Sequence, residues 1–248
     1  MHNESADALL SRDTLFSGKL VCLQHQDGYR YSIDAVLLAH FIAPKPEEKI
    51  LDLGAGCGIV SLIVAYRHPS VHVSSLEIQK KLISLLYKNR RLNNFDRRID
   101  IVEGDLVEIN TLVQAGSFDR IVCNPPYGKL GSGRMNSGSE QAVARHEIRA
   151  TLADVSDAVL YSLKNRGKAA FIYPSGKAAV LLARLKEKRL EPKRFQIVYS
   201  YPGSSARLVL VEAVKGGGEE LEILPPFYVY DRPGGEYSRE MARLYLSQ

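Results

Sequence analysis

What this chain lacks narrows its function before any motif is read. None of its apolar runs approaches the ~18 residues that a membrane-spanning helix needs. The opening residues, MHNESADALLSRD, show no basic start leading into an apolar block, so no secretory signal is read. Cysteine is scarce. Cys22, Cys57 and Cys123 stand far apart with no C-x-x-C pair, which indicates neither a disulfide framework nor a zinc knuckle. The 6 histidines are scattered, with no H-E-x-x-H and no cluster of metal-ligand spacing. Internal repeats and low-complexity tracts are missing as well. The expectation is a cytoplasmic protein with no metal and no membrane association.

Charge of one sign is not in large excess either. The formal net charge is +5, a balance that suits a polyanionic partner such as nucleic acid but is shared by many proteins without one. The 248 residues allow one or two domains and are enough for a full core.

Leu20 to Gln24 and Tyr29 to Tyr31 flank Asp27-Gly28, which predicts a hairpin turning at that pair. Ser32 then caps an apolar helix, Ile33 to Phe41, that Pro44 and Pro46 stop. Residues 1–46 are therefore expected to form an N-terminal hairpin and helix extension, and 47–248 the main domain. From Lys49 the pattern alternates. Strands are predicted at Lys49–Leu53, Val71–Glu77, Ile99–Glu103, Phe118–Cys123 and Lys168–Tyr173. Helices fall between them at Ile59–Arg67, Gln79–Asn93, Leu106–Val113 and Thr151–Leu163, and another follows at Ser175–Lys188. Such alternation means βαβ units and a mostly parallel sheet with helices on both faces. Phe195–Tyr199 and Arg207–Val214 are joined by too short a link for a crossover helix, so they must pair antiparallel. The tail holds two short apolar runs and a final helix, Ser238–Leu246. The fold class expected is α/β: doubly wound, seven strands, one of them antiparallel.

Two stretches carry chemistry. The first is Asp52-Leu53-Gly54-Ala55-Gly56-Cys57-Gly58, a glycine turn between a strand and a helix. Glycines there let the backbone approach a ligand, and the helix N-terminus supplies unpaired N–H donors. The dinucleotide fingerprint G-x-G-x-x-G is not met, because Ile59 stands where its third glycine belongs. A buried Asp52 can accept from a cationic amino group, Glu77 at the second strand's end can accept ribose hydroxyls, and Asp105 can accept from an adenine amine. Three acids at successive strand ends thus match three parts of one ligand. This stretch, with Glu77 and Gly104-Asp105-Leu106, resembles the class I S-adenosylmethionine-dependent methyltransferases. The cofactor set the resemblance implies is Asp52, Gly54, Ala55, Gly56, Gly58, Glu77, Ile78, Asp105, Leu106 and Asn124.

The second is Asn124-Pro125-Pro126-Tyr127, which ends the apolar run Ile121-Val122-Cys123 and opens a loop rich in Gly and Ser. It resembles the N-P-P-Y motif of the amino-methyltransferases. Asn124 and the Pro125 carbonyl can each accept one N–H of a planar amine, freeing its lone pair. Pro126 stiffens the loop, and Tyr127 offers a face on which a base stacks. These four are the candidate catalytic residues. Lys129, Arg134, Arg145 and Arg149 flank the pocket and can orient a substrate through phosphates without reading sequence. His146 reads as a surface residue and Cys57 as a small space-filler. The basic stretch from Arg184 to Arg194 reads equally as an RNA-facing edge or a solvated helix end.

The N-P-P-Y motif serves adenine in DNA or RNA, guanine's exocyclic amine in rRNA, and the glutamine amide of release factors. About 46 residues leave no space for the helical N-terminal domain of the glutamine enzymes. Tyr31-Ser32-Ile33-Asp34-Ala35-Val36 at one end and Tyr237-Ser238-Arg239-Glu240 at the other resemble the bacterial tRNA(Val) adenine methyltransferase family. That resemblance implies a tRNA adenosine beside the anticodon as substrate, with Ser32 and Asp34 closing the cofactor pocket. A protein glutamine methyltransferase, an rRNA guanine-N2 methyltransferase and a catalytically idle cofactor-binding RNA module stay open beside it.

Overall fold

The computed structural model describes residues 10–26, 32–125 and 150–246. Strands β1 (Leu10–Leu15) and β2 (Leu20–His25) form an antiparallel hairpin. Its turn lies at Phe16–Lys19, and the turn expected at Asp27-Gly28 falls outside the described residues. Phe16 is 2% exposed, stacks on Tyr66 at 4.5 Å, and donates its N–H to the Tyr245 carbonyl at 3.0 Å. A buried aromatic fixes the reversal, and Ser17 and Gly18 complete it at positive φ.

Helix α1 (Ile33–Phe41) starts at Ser32, whose Oγ accepts the Asp34 N–H at 3.4 Å. Then come β3 (Lys49–Leu53), α2 (Ile59–Arg67), β4 (His72–Glu77), α3 (Lys80–Leu92), β5 (Ile99–Glu103), α4 (Ile109–Leu112) and β6 (Phe118–Cys123). After the undescribed 126–149 follow α5 (Leu152–Ser162), β7 (Leu163–Pro174), α6 (Ala178–Glu187), β8 (Leu190–Tyr199) and β9 (Ala206–Lys215). The tail adds β10 (Glu222–Ile223), β11 (Phe227–Tyr228) and α7 (Arg239–Arg243).

The long strands lie in the order β5-β4-β3-β6-β7-β9-β8, parallel except β9, which pairs antiparallel with both β7 and β8. The seven-stranded sheet with one reversed strand is therefore present. The two tail runs extend it, as short parallel strands on the outer edge of β8. Two strands begin earlier than the sequence predicts. β7 takes in Asn165-Arg166-Gly167, where Arg166 has φ 62° and the register with β6 shifts. This stretch lies at a bulge. β8 takes in Pro192, tolerated because its outer edge is unpaired until Arg194 meets β10.

Alternate residues along each central strand enter opposite cores. Ile50, Val122, Ala170 and Ile172 join the hairpin, α1 and α2 on one face. Leu51, Ile121, Ala169 and Phe171 join α5 and α6 on the other. The hairpin is held by more than apolar contact. Asn89 and Asn93, one turn apart on α3, each offer a carbonyl and an amide to the free edge of β2. Leu23 donates to Asn89 Oδ1 at 2.7 Å and its carbonyl accepts Asn89 Nδ2 at 3.0 Å. Val21 makes the same pair with Asn93 at 2.9 and 2.7 Å. Two carboxamides thus stand in for a neighbouring strand and cover an edge open to pairing.

Candidate active site

The sheet register gathers the expected residues on one edge. Leu53, the last residue of β3, lies opposite Leu76 of β4 and Cys123 of β6. Glu77 lies opposite Glu103 of β5. The connections run outward from β3 to β4 and β5 on one side and to β6 and β7 on the other. That is the switch point of a doubly wound sheet, where a crevice opens beyond the strands' carboxyl ends. The residues that follow these strands are the glycine turn, Ile78, Gly104-Asp105 and Asn124-Pro125.

The glycine turn leaves β3 with Gly54 and Ala55 both donating to the Leu76 carbonyl, at 3.0 and 2.8 Å. Gly54 and Gly56 hold φ of 80° and 61°, and a Cβ on either would meet nothing within 4 Å. Conformation requires glycine there, and the space before the backbone is open to a ligand. Gly58 is the N-cap of α2, and its side contributes no cap bond.

Asp52 is 2% exposed. Its Oδ2 accepts from the Ser61 N–H at 3.1 Å and the Ser61 hydroxyl at 2.6 Å. Ser61's one hydroxyl proton is thereby used, so Ser75 donates to Ser61 Oγ at 2.7 Å. Burial pushes the Asp52 carboxyl up to about 6, against the lowering effect of the Ser61 hydrogen bonds. Glu77 is 4% exposed. Its Oε1 accepts from Ile78 N at 3.0 Å and from Gln79 N at 2.8 Å and Nε2 at 3.4 Å. Its Oε2 accepts from Gly56 N at 2.8 Å. One carboxylate therefore pins the glycine turn to the start of α3. Ile78 is 38% exposed beside it.

Asp105 Oδ1 accepts the Val107 N–H at 3.0 Å and caps the 3₁₀ turn Leu106–Glu108, with both Asp105 and Leu106 half-buried. Asn124 is half-buried and Pro125 buried. Pro126, Tyr127, Lys129, Arg134, Arg145, His146 and Arg149 lie outside the described residues. Ser32 and Asp34 open α1, where burial raises the Asp34 carboxyl. Among the described residues no hydrogen bond or ion pair joins these two to the glycine turn.

Cys57 fills space in the turn as expected, with its Sγ 3.8 Å from Cys22 of the hairpin. The stretch from Arg184 to Arg194 is largely neutralised within the chain. Arg184 meets Glu187 at 2.8 Å, Lys186 meets Glu191 at 3.3 Å, and Lys188 meets Asp157. Sequence reasoning missed Ser61 and Asn89, both fully buried. The signal available was a polar residue on an otherwise apolar helix face, at Ser61 in IVSLIVAYR and at Asn89 in register with Leu85 and Leu86.

Residues 32–165 match the methyltransferase small domain. The tRNA1(Val) (adenine(37)-N6)-methyltransferase of Vibrio campbellii is 30% identical over 149 residues, 60% of this chain and 60% of that protein's length. The protein of the same name from a Shewanella species is 32% identical over 186 residues, covering 74% of this chain and 77% of its own. Among solved structures, a predicted O-methyltransferase from Agrobacterium tumefaciens shares the fold with a TM-score of 0.71 at 22% identity, covering 86% of this chain and 95% of its own.

Proposed function

The chain belongs to the methyltransferase small domain family, and from that premise we propose that it methylates the exocyclic amine of an adenine in tRNA, beside the anticodon, using S-adenosylmethionine. The observation that carries this reading is the pairing of Leu53 with Cys123, which sets Asn124-Pro125 beside the open glycine turn. The names of the two curated relatives support adenine in tRNA as the acceptor. We further propose a cytoplasmic setting and the division into an extension, 1–46, and a methyltransferase domain, 47–248.

The residues present fit the cofactor. Gly54, Ala55, Gly56 and Gly58 bring the backbone close, Asp52 takes the amino group, and Asp105 takes the adenine amine with Ile78 and Leu106 against its ring. Glu77 takes a ribose hydroxyl on Oε2, which accepts a single hydrogen bond from the protein, whereas Oε1 already accepts from Ile78 and Gln79. A grip on both hydroxyls would need Oε1 to release Gln79. Ser32 and Asp34 would close the pocket from α1. When bound, the cofactor supplies an electrophilic methyl on a sulfonium.

The chain's own part is to hold the amine. The Asn124 side-chain oxygen and the Pro125 carbonyl accept its two N–H bonds and turn its lone pair toward the methyl group. Pro126 keeps the carbonyl direction fixed, and Tyr127 stacks on the base. Positioning of this kind can supply ~7–11 kcal/mol of a barrier. Lys129, Arg134, Arg145 and Arg149 would hold flanking phosphates. Reaching the amine requires splaying the base, which costs less in a tRNA loop than in a duplex.

Mass spectrometry of nucleosides from tRNA incubated with the enzyme and donor tests the reading, with N6-methyladenosine as the expected product. N2-methylguanosine in rRNA, or methylated glutamine in release factors, would replace it with the other acceptors. Asn124→Ala should cut turnover ~10²–10³-fold, the scale of losing one transition-state hydrogen bond, with a much smaller loss of donor affinity by calorimetry. Unchanged turnover would sink the amine-holding mechanism.

A further inference from the structure

The helix that flanks the donor side of the crevice is dense in positive charge. α3 holds Lys80, Lys81, Lys88, Arg90 and Arg91 and no acid. With those five set aside, the remaining lysines and arginines of the chain equal its 28 acids. The inner face of α3 is committed to the fold through Ile83, Leu85, Leu86 and Asn89. Arg90 is committed too, to Asp96 at 3.3 Å and to the Ile99 carbonyl at 3.3 Å. Lys80, Ser84, Tyr87, Lys88 and Arg91 are exposed, with Tyr87 at 41%. Their spacing of three and four residues puts them on one stripe, about 16 Å long at 1.5 Å per residue. The stripe begins where Glu77 fastens the start of α3, at the rim of the crevice.

We propose that this outer face of α3 is a docking track for RNA phosphates, a proposal that rests on the RNA reading above and names where the substrate backbone lies. The contrast with residues 184–194 supports it. There each of Arg184, Lys186 and Lys188 has an acid beside it, whereas among the described residues no acid is paired with Lys80 or Arg91 of α3. An aromatic ring interleaved with aligned cations suits a nucleic acid, since the ring can take a base or sugar while the cations take phosphates. A membrane surface fits less well. A helix that lies on lipid turns an apolar face outward, and the apolar face of α3 is buried in the core.

The test uses the full chain with Lys80→Gln, Lys88→Gln and Arg91→Gln combined, and bulk tRNA binding between about 50 and 200 mM salt. Each phosphate contact to a single strand contributes a slope of ~0.7 in log K against log salt. The triple variant should lower the slope by about two and weaken tRNA binding at least ~10-fold. Donor affinity, melting temperature and turnover at saturating tRNA should stay as in the parent. A parent-like slope overturns the proposal. So does an equal loss of slope in Arg184→Gln/Lys186→Gln/Lys188→Gln, or a triple-sensitive affinity for phosphatidylserine vesicles in a protein that does not bind tRNA. Failure of the RNA-methylation reading looks different: the parent protein would bind tRNA with a steep salt slope yet leave it unmethylated.

Discussion

Glu212 and Glu77 are both buried glutamates, 2% and 4% exposed, but their charges are met in opposite ways. Glu212, on β9, faces cations from three other strands. Arg120 of β6 donates to it at 2.6 Å, Lys168 of β7 donates at 3.1 Å, and Arg194 of β8 stands 3.9 Å away. Arg120, itself 2% exposed, also reaches Glu48 at 3.0 Å and the Ala43 carbonyl at 3.2 Å. Among the described residues Glu77 is met only by N–H groups, those of Gly56, Ile78 and Gln79. Cations cancel a carboxylate's charge, while amide dipoles stabilise it and leave it in place. The first arrangement joins strands to one another and to the link between α1 and β3. The second holds two turns at the crevice and keeps a negative charge there for a ligand that brings hydroxyl or ammonium donors.

The largest effect should come from breaking the cancelled pair. Glu212→Ala leaves the Arg120 and Lys168 charges without their shared acceptor, and breaking a buried pair costs ~3–5 kcal/mol. Urea unfolding should show that loss, while calorimetry on the protein that remains folded should return the parent's donor affinity. A shift in donor affinity as well would mean that the two regions are not separate. Glu77→Ala should reverse the weighting. Hydrogen bonds to a charged group are worth ~1.5–3 kcal/mol, so donor affinity should fall roughly 10- to 150-fold. The stability loss should be smaller than for Glu212→Ala, because N–H groups in an exposed turn can find water. Wild-type donor affinity in this variant would remove Glu77 from the cofactor set.

These two glutamates also mark what a sequence discloses. The place of Glu77 was legible because it ends a strand and two of its partners, Ile78 and Gln79, follow it directly into a helix start. The alternation of strands and helices and the place of Asn124-Pro125 at a strand's end were legible for the same reason, since each βα unit repeats one local pattern. Glu212 was not legible. Arg120, its nearest cation, lies 92 positions away, and nothing in VLVEAVK announces which strand will lie beside it. The turn at Phe16–Lys19 was not legible either, because the contact of Phe16 with Tyr66 that fixes it is a tertiary one. The roles of Asn89 and Asn93 depend in the same way on β2, which lies more than 60 positions away.

Asp52 sits between the two cases, and its titration sharpens the comparison with the smallest step. Among the described residues it is buried with hydrogen-bond donors and no cation, and burial raises its carboxyl from 3.8 to about 6. The folded chain therefore holds a proton that the unfolded chain has lost between those values. Stability from this group is present below about pH 4 and is lost as pH rises toward 6. Donor binding should show the opposite trend, because a donor ammonium needs Asp52 ionised. As pH falls below about 6, donor affinity should drop by up to ~10-fold per unit, or ~1.4 kcal/mol. Asp52→Asn removes the titration. Its donor affinity should be lower at pH 7 and flat from pH 7 to 5, and its urea stability should not decline across the same window as the parent's does. Parallel pH profiles in parent and variant would show that Asp52 neither titrates in this range nor contacts the donor, and that its bonds to Ser61 are its only role.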